Sequence, residues 1–165
     1  IQYLISHEQR NRFITNLTLD LKGNTLVLYS RVETHGAILY ENINKNKQSD
    51  RKVFFIHGGV NAEERELVRE ITEKEKNAII VASYGTFSTG INIKNLPNIM
   101  FVGLGKSFIR DVQSIGRGLR LHDSKDKLRI FDIVDNTKYS SSHAQYRQEI
   151  YDKEDIQWTE RIIEI

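Results

Sequence analysis

The sequence predicts a doubly wound α/β domain built on a mostly parallel sheet with helices on both faces. Short runs rich in β-branched residues alternate along the chain with longer amphipathic stretches. Nearly all of the runs are apolar without alternation, which is typical of parallel strands covered on both faces. The chain of 165 residues has the length of one domain, which we expect to span residues 1–165.

Five runs are predicted as strands, because each ends in small or polar residues where a loop would begin. They are Thr25 to Tyr29, Val53 to Ile56, Ala78 to Ala82, Ile99 to Val102 and Leu128 to Val134. Since helices alternate with these strands, the carboxyl ends of the strands should meet at one edge of the sheet. Open α/β domains gather their binding sites at that edge.

Helices are predicted between the strands and at the C-terminus. They are His7 to Leu21, Thr34 to Ile43, Ala62 to Lys74, Phe108 to Leu119 and a polar stretch from about Ser142 to Ile163. Asn61 followed by Glu64 predicts an N-cap and a capping box at the start of the third helix. We expect about residues 1–22 to form an N-terminal helix and about residues 140–165 to form a C-terminal helical extension.

Composition excludes several classes of function. The 24 Lys and Arg residues nearly balance the 22 Asp and Glu residues, so a nucleic-acid surface would need local clustering of charge. The absence of Cys excludes a disulfide framework, a thiolate metal site and a cysteine nucleophile, and the five His residues show no zinc spacing. We expect a cytoplasmic protein without a membrane partner, since no apolar run approaches spanning length and no signal peptide is evident.

The most informative segment carries Gln113, Arg117 and Arg120 at i, i+4 and i+7, on one face of a predicted helix. Gly116 and Gly118 lie among them, and each would cost a structural helix about 1 kcal/mol relative to Ala. The backbone is therefore expected to come close to a ligand. Paired arginines suit a polyphosphate, and we interpret Arg117 and Arg120 as arginine fingers. A solvated basic helix end is the alternative that spacing alone leaves open.

The segment from Ser83 to Asn92, after the third strand, is crowded with hydroxyl groups and glycines. Such a loop can hydrogen-bond phosphate oxygens through side chains and backbone N–H groups. A plain turn is the alternative, but the position shortly before the arginine segment favours phosphate binding. Gly103 to Ser107 resembles the end of a phosphate-binding P-loop, yet Met100 occupies the position of its first glycine. We therefore predict no Walker A site there.

Several other side chains have both a functional and a structural interpretation. Asp132 and Asp135 could bind a metal, but capping or ion pairing is favoured. His57, at a strand end, could contact a nucleic-acid backbone or could be satisfied by neighbouring carbonyls. Aromatic residues near the C-terminus could stack on bases or could hold a terminal helix against the domain. These are Tyr139, Tyr146, Tyr151 and Trp158.

Together these features resemble the second RecA-like domain of superfamily-two helicases, roughly from Leu26 to Val134. The motifs that carry the resemblance are the arginine motif, the Ser-Thr-Gly loop, the first strand with its following Thr-His-Gly, and the loop after the second strand. Their residues are Gln113 to Arg120, Val81 to Asn92, Leu26 to Ser30 with Thr34 to Gly36, and Ile56 to Gly58 with Glu64 and Arg65. The resemblance implies a RecA-like, P-loop NTPase-like fold of three layers.

The resemblance also implies roles for individual residues. In such enzymes two RecA-like domains enclose ATP and Mg²⁺, the second one reaching across with arginines. Arg117, Arg120 and Gln113 are then expected to be catalytic. Gly90, Asn92 and Gly116 are expected to contact the nucleotide, although Asn92 stands where many relatives carry Asp. The residues expected to follow the nucleic-acid backbone are Ser30, Arg31, His57, Gly58, Thr86 and Thr89.

The sequence contains no complete Walker A motif and no Asp-Glu-x-His or Asp-Glu-x-Asp box. The resemblance implies the second motor domain of an ATP-dependent DNA helicase or translocase that serves recombination, repair or branched-DNA remodelling. Its partners would be DNA and an N-terminal RecA-like domain that binds most of the ATP and Mg²⁺, and the chain alone would be inactive. A translocase subunit of a restriction or remodelling system, and a non-enzymatic nucleic-acid-binding module, stay open as alternatives.

Overall fold

A computed structural model describes residues 2–30, 33–88, 93–103 and 128–165. These residues contain one sheet of five parallel strands in the order β2-β3-β1-β4-β5. The strands are β1 Thr25–Tyr29, β2 Val53–Ile56, β3 Ile79–Ser83, β4 Asn98–Val102 and β5 Arg129–Ile133. All five predicted strands are confirmed, with ends that differ from the prediction by one residue at most.

Helices connect and flank the strands. They are α1 Gln2–Ser6, α2 Glu8–Asp20, α3 Glu33–Asn46, α4 Ala62–Lys74, α5 Tyr84–Ser88 and α6 Lys138–Lys153. The predicted N-cap is confirmed, because Oδ1 of Asn61 accepts a hydrogen bond from the N–H of Glu64 at 2.8 Å. The predicted helix from Phe108 to Leu119 lies outside the described residues.

Three details of the predicted elements were wrong. The N-terminal helix is divided into α1 and α2, because His7 lies between them as the N-cap of α2. Part of the segment from Ser83 to Asn92 is the short helix α5 instead of a loop. The C-terminal helix stops at Lys153, so residues 154–165 are not helical. The chain turns there because Asp155 has a left-handed φ of 54°, and the N–H of Ile156 donates to the carbonyl of Tyr151 at 2.8 Å. This is a Schellman-type helix end, with Asp in the position that usually holds Gly.

The sheet separates two apolar layers, as the predicted three-layer architecture requires. One face of the strands packs with Ile14 of α2 and with Leu39 and Ile43 of α3. The other face packs with Phe87 of α5 and Tyr151 of α6, among others. Both faces of β1, β3 and β4 are buried, which explains why their sequences are apolar without alternation. Within the described ranges, no helix combines the length and the apolar character needed to cross a lipid bilayer.

A buried ion pair attaches α6 to the sheet. Nε and Nη2 of Arg147 donate to the two carboxylate oxygens of Asp132 on β5, at 2.6 and 2.8 Å. The hydroxyl of Tyr151 donates to the same carboxylate at 3.2 Å. Burial, with the Asp132 charge beside it, raises the pKa of Tyr151. The ion-pairing interpretation of Asp132 is therefore confirmed.

Hydrogen bonds from buried side chains to the backbone hold the turns at the amino edge of the sheet. Nδ2 of Asn24 donates to three carbonyls, and its Oδ1 accepts from the N–H of Ala78 at 2.8 Å. The guanidinium of Arg51 donates to three more carbonyls, those of Leu19, Leu21 and Asn77. Burial lowers the pKa of Arg51 below its usual range. These side chains satisfy carbonyls at the ends of α2 and α4 and in the loops before the strands.

We expect Gly36→Ala to destabilise the protein by about 1–3 kcal/mol. Gly36 lies in the first turns of α3, where an added Cβ would come within 2.3 Å of Cζ of Tyr29, a side chain that is buried in the core. Denaturant unfolding of the purified protein measures the effect. Gly85→Ala is the matched control, because nothing lies within 4 Å of its added Cβ. Equal free energies of unfolding for the Gly36→Ala variant and the wild type would contradict this packing.

Candidate functional site

The carboxyl ends of the strands lie side by side because of the pairing register. Tyr29, the last residue of β1, is paired with Ser83 on one side and with Val102 on the other. Val102 is in turn paired with Ile133 of β5. The chain therefore leaves four neighbouring strands at the same level, and the residues that follow them share one edge of the sheet. This carboxyl edge is the candidate site.

The exits of β1 and β4 are joined by a hydrogen bond. Oγ of Ser30 donates to the carbonyl of Gly103 at 2.6 Å. Gly103 has a left-handed φ of 67°, a conformation that favours glycine. Ser30 is exposed, as its predicted role in strand binding requires, but its hydroxyl proton is used within the protein.

His57 and Gly58 form the turn after β2. The ring of His57 packs against Phe55 with 5.0 Å between ring centroids, and its Nδ1 accepts from the N–H of Gly59 at 3.2 Å. The partner of this nitrogen is thus a backbone N–H, and not the carbonyl that the structural interpretation proposed. Gly58 is exposed and His57 is half-buried, so both residues are at least partly accessible at this turn.

Thr86 is less accessible than its predicted role requires. Its side chain is buried, with a relative exposure of 7%. Its hydroxyl lies 2.6 Å from Oγ of Ser83, and that oxygen also accepts the N–H of Thr86. Ser83 thereby caps the start of α5, and Thr86 completes the cap. The predicted contact of Thr86 with nucleic acid is not supported by this arrangement.

A cluster of three charged or titratable side chains lies beneath the carboxyl edge. Nε and Nη2 of Arg10, on α2, donate to the two carboxylate oxygens of Asp135, just after β5, at 2.5 and 3.0 Å. Nη1 of Arg10 lies 3.5 Å from Nε2 of His35 on α3. The ion-pairing interpretation of Asp135 is therefore confirmed, and both acidic residues once considered for a metal pair are engaged by arginines.

Burial and the neighbouring Arg10 cation lower the pKa of His35 from 6.5 to about 4, against the opposing effect of the Asp135 carboxylate. The imidazole is therefore neutral at physiological pH, and its Nε2 can accept a hydrogen bond from the guanidinium. Sequence reasoning missed Arg10 and His35. A signal existed for Arg10, because it lies one helical turn before the buried Ile14 and hence on the same face of α2.

The remaining predicted site residues lie outside the described residues. They are Arg31, Thr89, Gly90, Asn92, Gln113, Gly116, Arg117 and Arg120. The roles of these residues stay predictions.

The aromatic residues near the C-terminus divide into two groups. Tyr151 is buried against the sheet and holds α6 in place, as the structural interpretation predicted. Tyr139 is 77% exposed, and Tyr146 and Trp158 are also largely accessible. The indole N–H of Trp158 donates to Asp152 at 2.9 Å.

Comparison with protein families gives a match to the "Helicase conserved C-terminal domain" over residues 8–122. The chain is 35% identical over 158 residues to the ATP-dependent DNA helicase uvsW of Enterobacteria phage T4. That alignment covers 88% of this chain and 31% of the phage protein, so the chain spans about a third of its relative's length.

Solved structures give the same result. The crystal structure of T4 UvsW matches with a TM-score of 0.75 at 32% identity, and covers 93% of this chain and 34% of that chain. Domain 2 of the DEAD-box helicase Mss116p, bound to an RNA duplex, matches with a TM-score of 0.60 at 13% identity. It covers 92% of this chain and 54% of that chain, and shows the fold alone. The resemblance to the second RecA-like domain of superfamily-two helicases, and in detail to UvsW, is confirmed.

We expect His35 to make stability depend on pH. Because folding lowers the pKa of His35, its contribution is fully present above pH 6.5 and is lost as the pH falls through about 4. The wild type should therefore lose on the order of 1–3 kcal/mol more unfolding free energy between pH 7 and pH 4 than His35→Gln. Urea unfolding at several pH values measures this difference. Parallel pH profiles for the two proteins would contradict the prediction.

Proposed function

Because the chain belongs to the helicase conserved C-terminal domain family, we propose that it is the second RecA-like motor domain of an ATP-dependent DNA helicase or translocase. The observation that carries this proposal is the carboxyl edge, where β1, β3 and β4 end in register. Three of the helicase-like motifs of the sequence begin in or after these strands, and the fourth follows the neighbouring β2. These motifs therefore begin next to one another at the carboxyl edge, although long stretches of the sequence separate them.

Arg117 and Arg120 are the proposed arginine fingers, and Gln113 is their companion on the nucleotide. In the sequence all three follow Gly103, at the exit of β4, while Gly90 and Asn92 follow the exit of β3. A guanidinium suits this role because it keeps its charge and donates in a fixed fork to phosphate oxygens. Arg10, on the same edge, is already engaged by Asp135 and does not compete for this role.

A first RecA-like domain is the proposed partner that holds most of the ATP and Mg²⁺. Two facts support it: the sequence has no complete Walker A motif or acidic box, and it covers only 31% of T4 UvsW. Bound ATP with Mg²⁺ would supply the terminal phosphoryl group on which charge develops during transfer to water. The residues proposed here, Gln113, Gly116, Arg117 and Arg120, would orient that group and stabilise its charge.

Nucleic acid is proposed to lie along the loops after β1 and β2, which flank β3 in the sheet. Ser30, His57 and Gly58 are exposed or half-exposed there, and Arg31 and Thr89 are added from the family resemblance. These groups suit contacts with phosphate and sugar, and none of them reads a base. Contact with the backbone alone fits an enzyme that must move over any sequence. Thr86 is left out of this set because its side chain is buried.

We expect Arg120→Ala to reduce ATP turnover in the complete protein by about 10³–10⁵-fold, because a finger stabilises charge that develops only in the transition state. Affinity for DNA should stay close to that of the wild type. Steady-state hydrolysis and equilibrium binding measure the two effects. Arg161→Ala, an exposed arginine in the C-terminal segment, is the matched control and should keep full turnover. Normal hydrolysis by Arg120→Ala would contradict the proposal.

We expect His57→Ala to weaken DNA binding by about fivefold, the equivalent of one lost hydrogen bond. The loss should be the same for DNA of different sequences, since the proposed contact is to the backbone. Fluorescence anisotropy with oligonucleotides of matched length measures it. His143→Ala, a half-buried histidine on α6, serves as the control. A loss confined to one base sequence, or unchanged affinity, would show that His57 does not contact the backbone.

A further inference from the structure

Arg10 and Asp135 join parts of the chain that are 125 residues apart. The guanidinium of Arg10 is buried, with an exposed side-chain fraction of 4%, and the Asp135 carboxylate is 11% exposed. The two parallel hydrogen bonds fix the orientation of the guanidinium as well as its distance. The N–H of Asp135 also donates to Oγ of Ser140, at 2.9 Å, in the first turn of α6. Asp135 is thus held from two sides, by α2 and by α6.

The ion pair lies directly beneath the exit of β4. Nη2 of Arg10 is 3.9 Å from the position that a Cβ would occupy on Gly103, and the carbonyl of Gly103 accepts the Ser30 hydrogen bond. One guanidinium therefore touches the end of β5, approaches the end of β4, and lies beside His35 at the start of α3. Of these elements, β4 is the strand that precedes the arginine motif in the sequence, and α3 contains the Thr-His-Gly motif.

Stability alone does not account for this ion pair. A buried ion pair contributes little compared with apolar residues of the same volume, because the desolvation of both charges offsets their attraction. One turn later on the same face of α2, Ile14 provides apolar packing against the sheet. With Arg10 at this position instead of a further aliphatic residue, α2 makes a directional contact with Asp135. Because the imidazole of His35 is neutral, it adds no second positive charge beside the guanidinium of Arg10.

We infer that Arg10 and Asp135 are positioning residues for ATP turnover, which hold the carboxyl ends of β4 and β5 in the arrangement from which the arginine motif departs. This inference rests on the proposed function. Neither residue needs to touch the nucleotide. Loosening the pair should misplace the catalytic groups slightly, and a misplacement of about 1 Å can reduce the rate by about a hundredfold.

The test is Arg10→Lys in the complete protein, which keeps the charge but loses the bidentate fork. We expect kcat for ATP hydrolysis to fall by about ten- to a hundredfold, with little change in KM for ATP. Arg147→Lys is the matched control, because Arg147 and Asp132 form a second buried, bidentate pair on β5. That pair joins α6 to β5 on the face of the sheet opposite to α2. The control variant should lose thermal stability to a similar degree but keep its kcat.

The outcomes separate the inference from the proposed function. If Arg120→Ala loses turnover while Arg10→Lys keeps the wild-type kcat, the inference is wrong and the proposed function stands. If Arg120→Ala keeps turnover, the proposed function itself fails. An equal loss of kcat in Arg10→Lys and Arg147→Lys would also overturn the inference, because general loosening would then explain it. Should Arg10→Lys not fold, Asp135→Asn takes its place, with the same fall in kcat expected and an unchanged kcat contradicting the inference.

Discussion

The parallel pairing of β1 with both β3 and β4 is the constraint on which the candidate site depends. Parallel strands need crossover connections, and each crossover returns the chain to the amino edge before the next strand begins. The register then brings Ser30, the start of α5 and Gly103 to the same edge of the sheet. Ser30 and Gly103 are 73 residues apart in the sequence. Strand ends from distant parts of the sequence are thereby brought to the same edge of the sheet.

The two edges of the sheet serve different purposes. At the amino edge, Asn24 and Arg51 donate to backbone carbonyls and hold the turns together. At the carboxyl edge, Arg10 and Asp135 form a directional ion pair, and His57 and Gly58 remain accessible. This division is the usual one in α/β domains, where one edge supports stability and the other carries the site.

Sequence patterns predicted the strands and the Asn61 cap because these features depend on local chemistry. The position of Arg10 one turn before Ile14 was a signal for its burial, but its ion-pair partner is 125 residues away, and arginine on a helix usually faces solvent. The end of α6 was missed because Asp155 adopts a left-handed conformation that Gly usually signals. Thr86 was expected to contact nucleic acid, yet the formation of α5 buries it.

The central claim is that this chain supplies cationic groups to ATP held mainly by another domain. ATP hydrolysis by the purified 165-residue chain, assayed alone, tests that claim most directly. The account predicts no turnover above background. Hydrolysis that persists through rigorous purification, and that Arg117→Ala and Arg120→Ala leave unchanged, would contradict it.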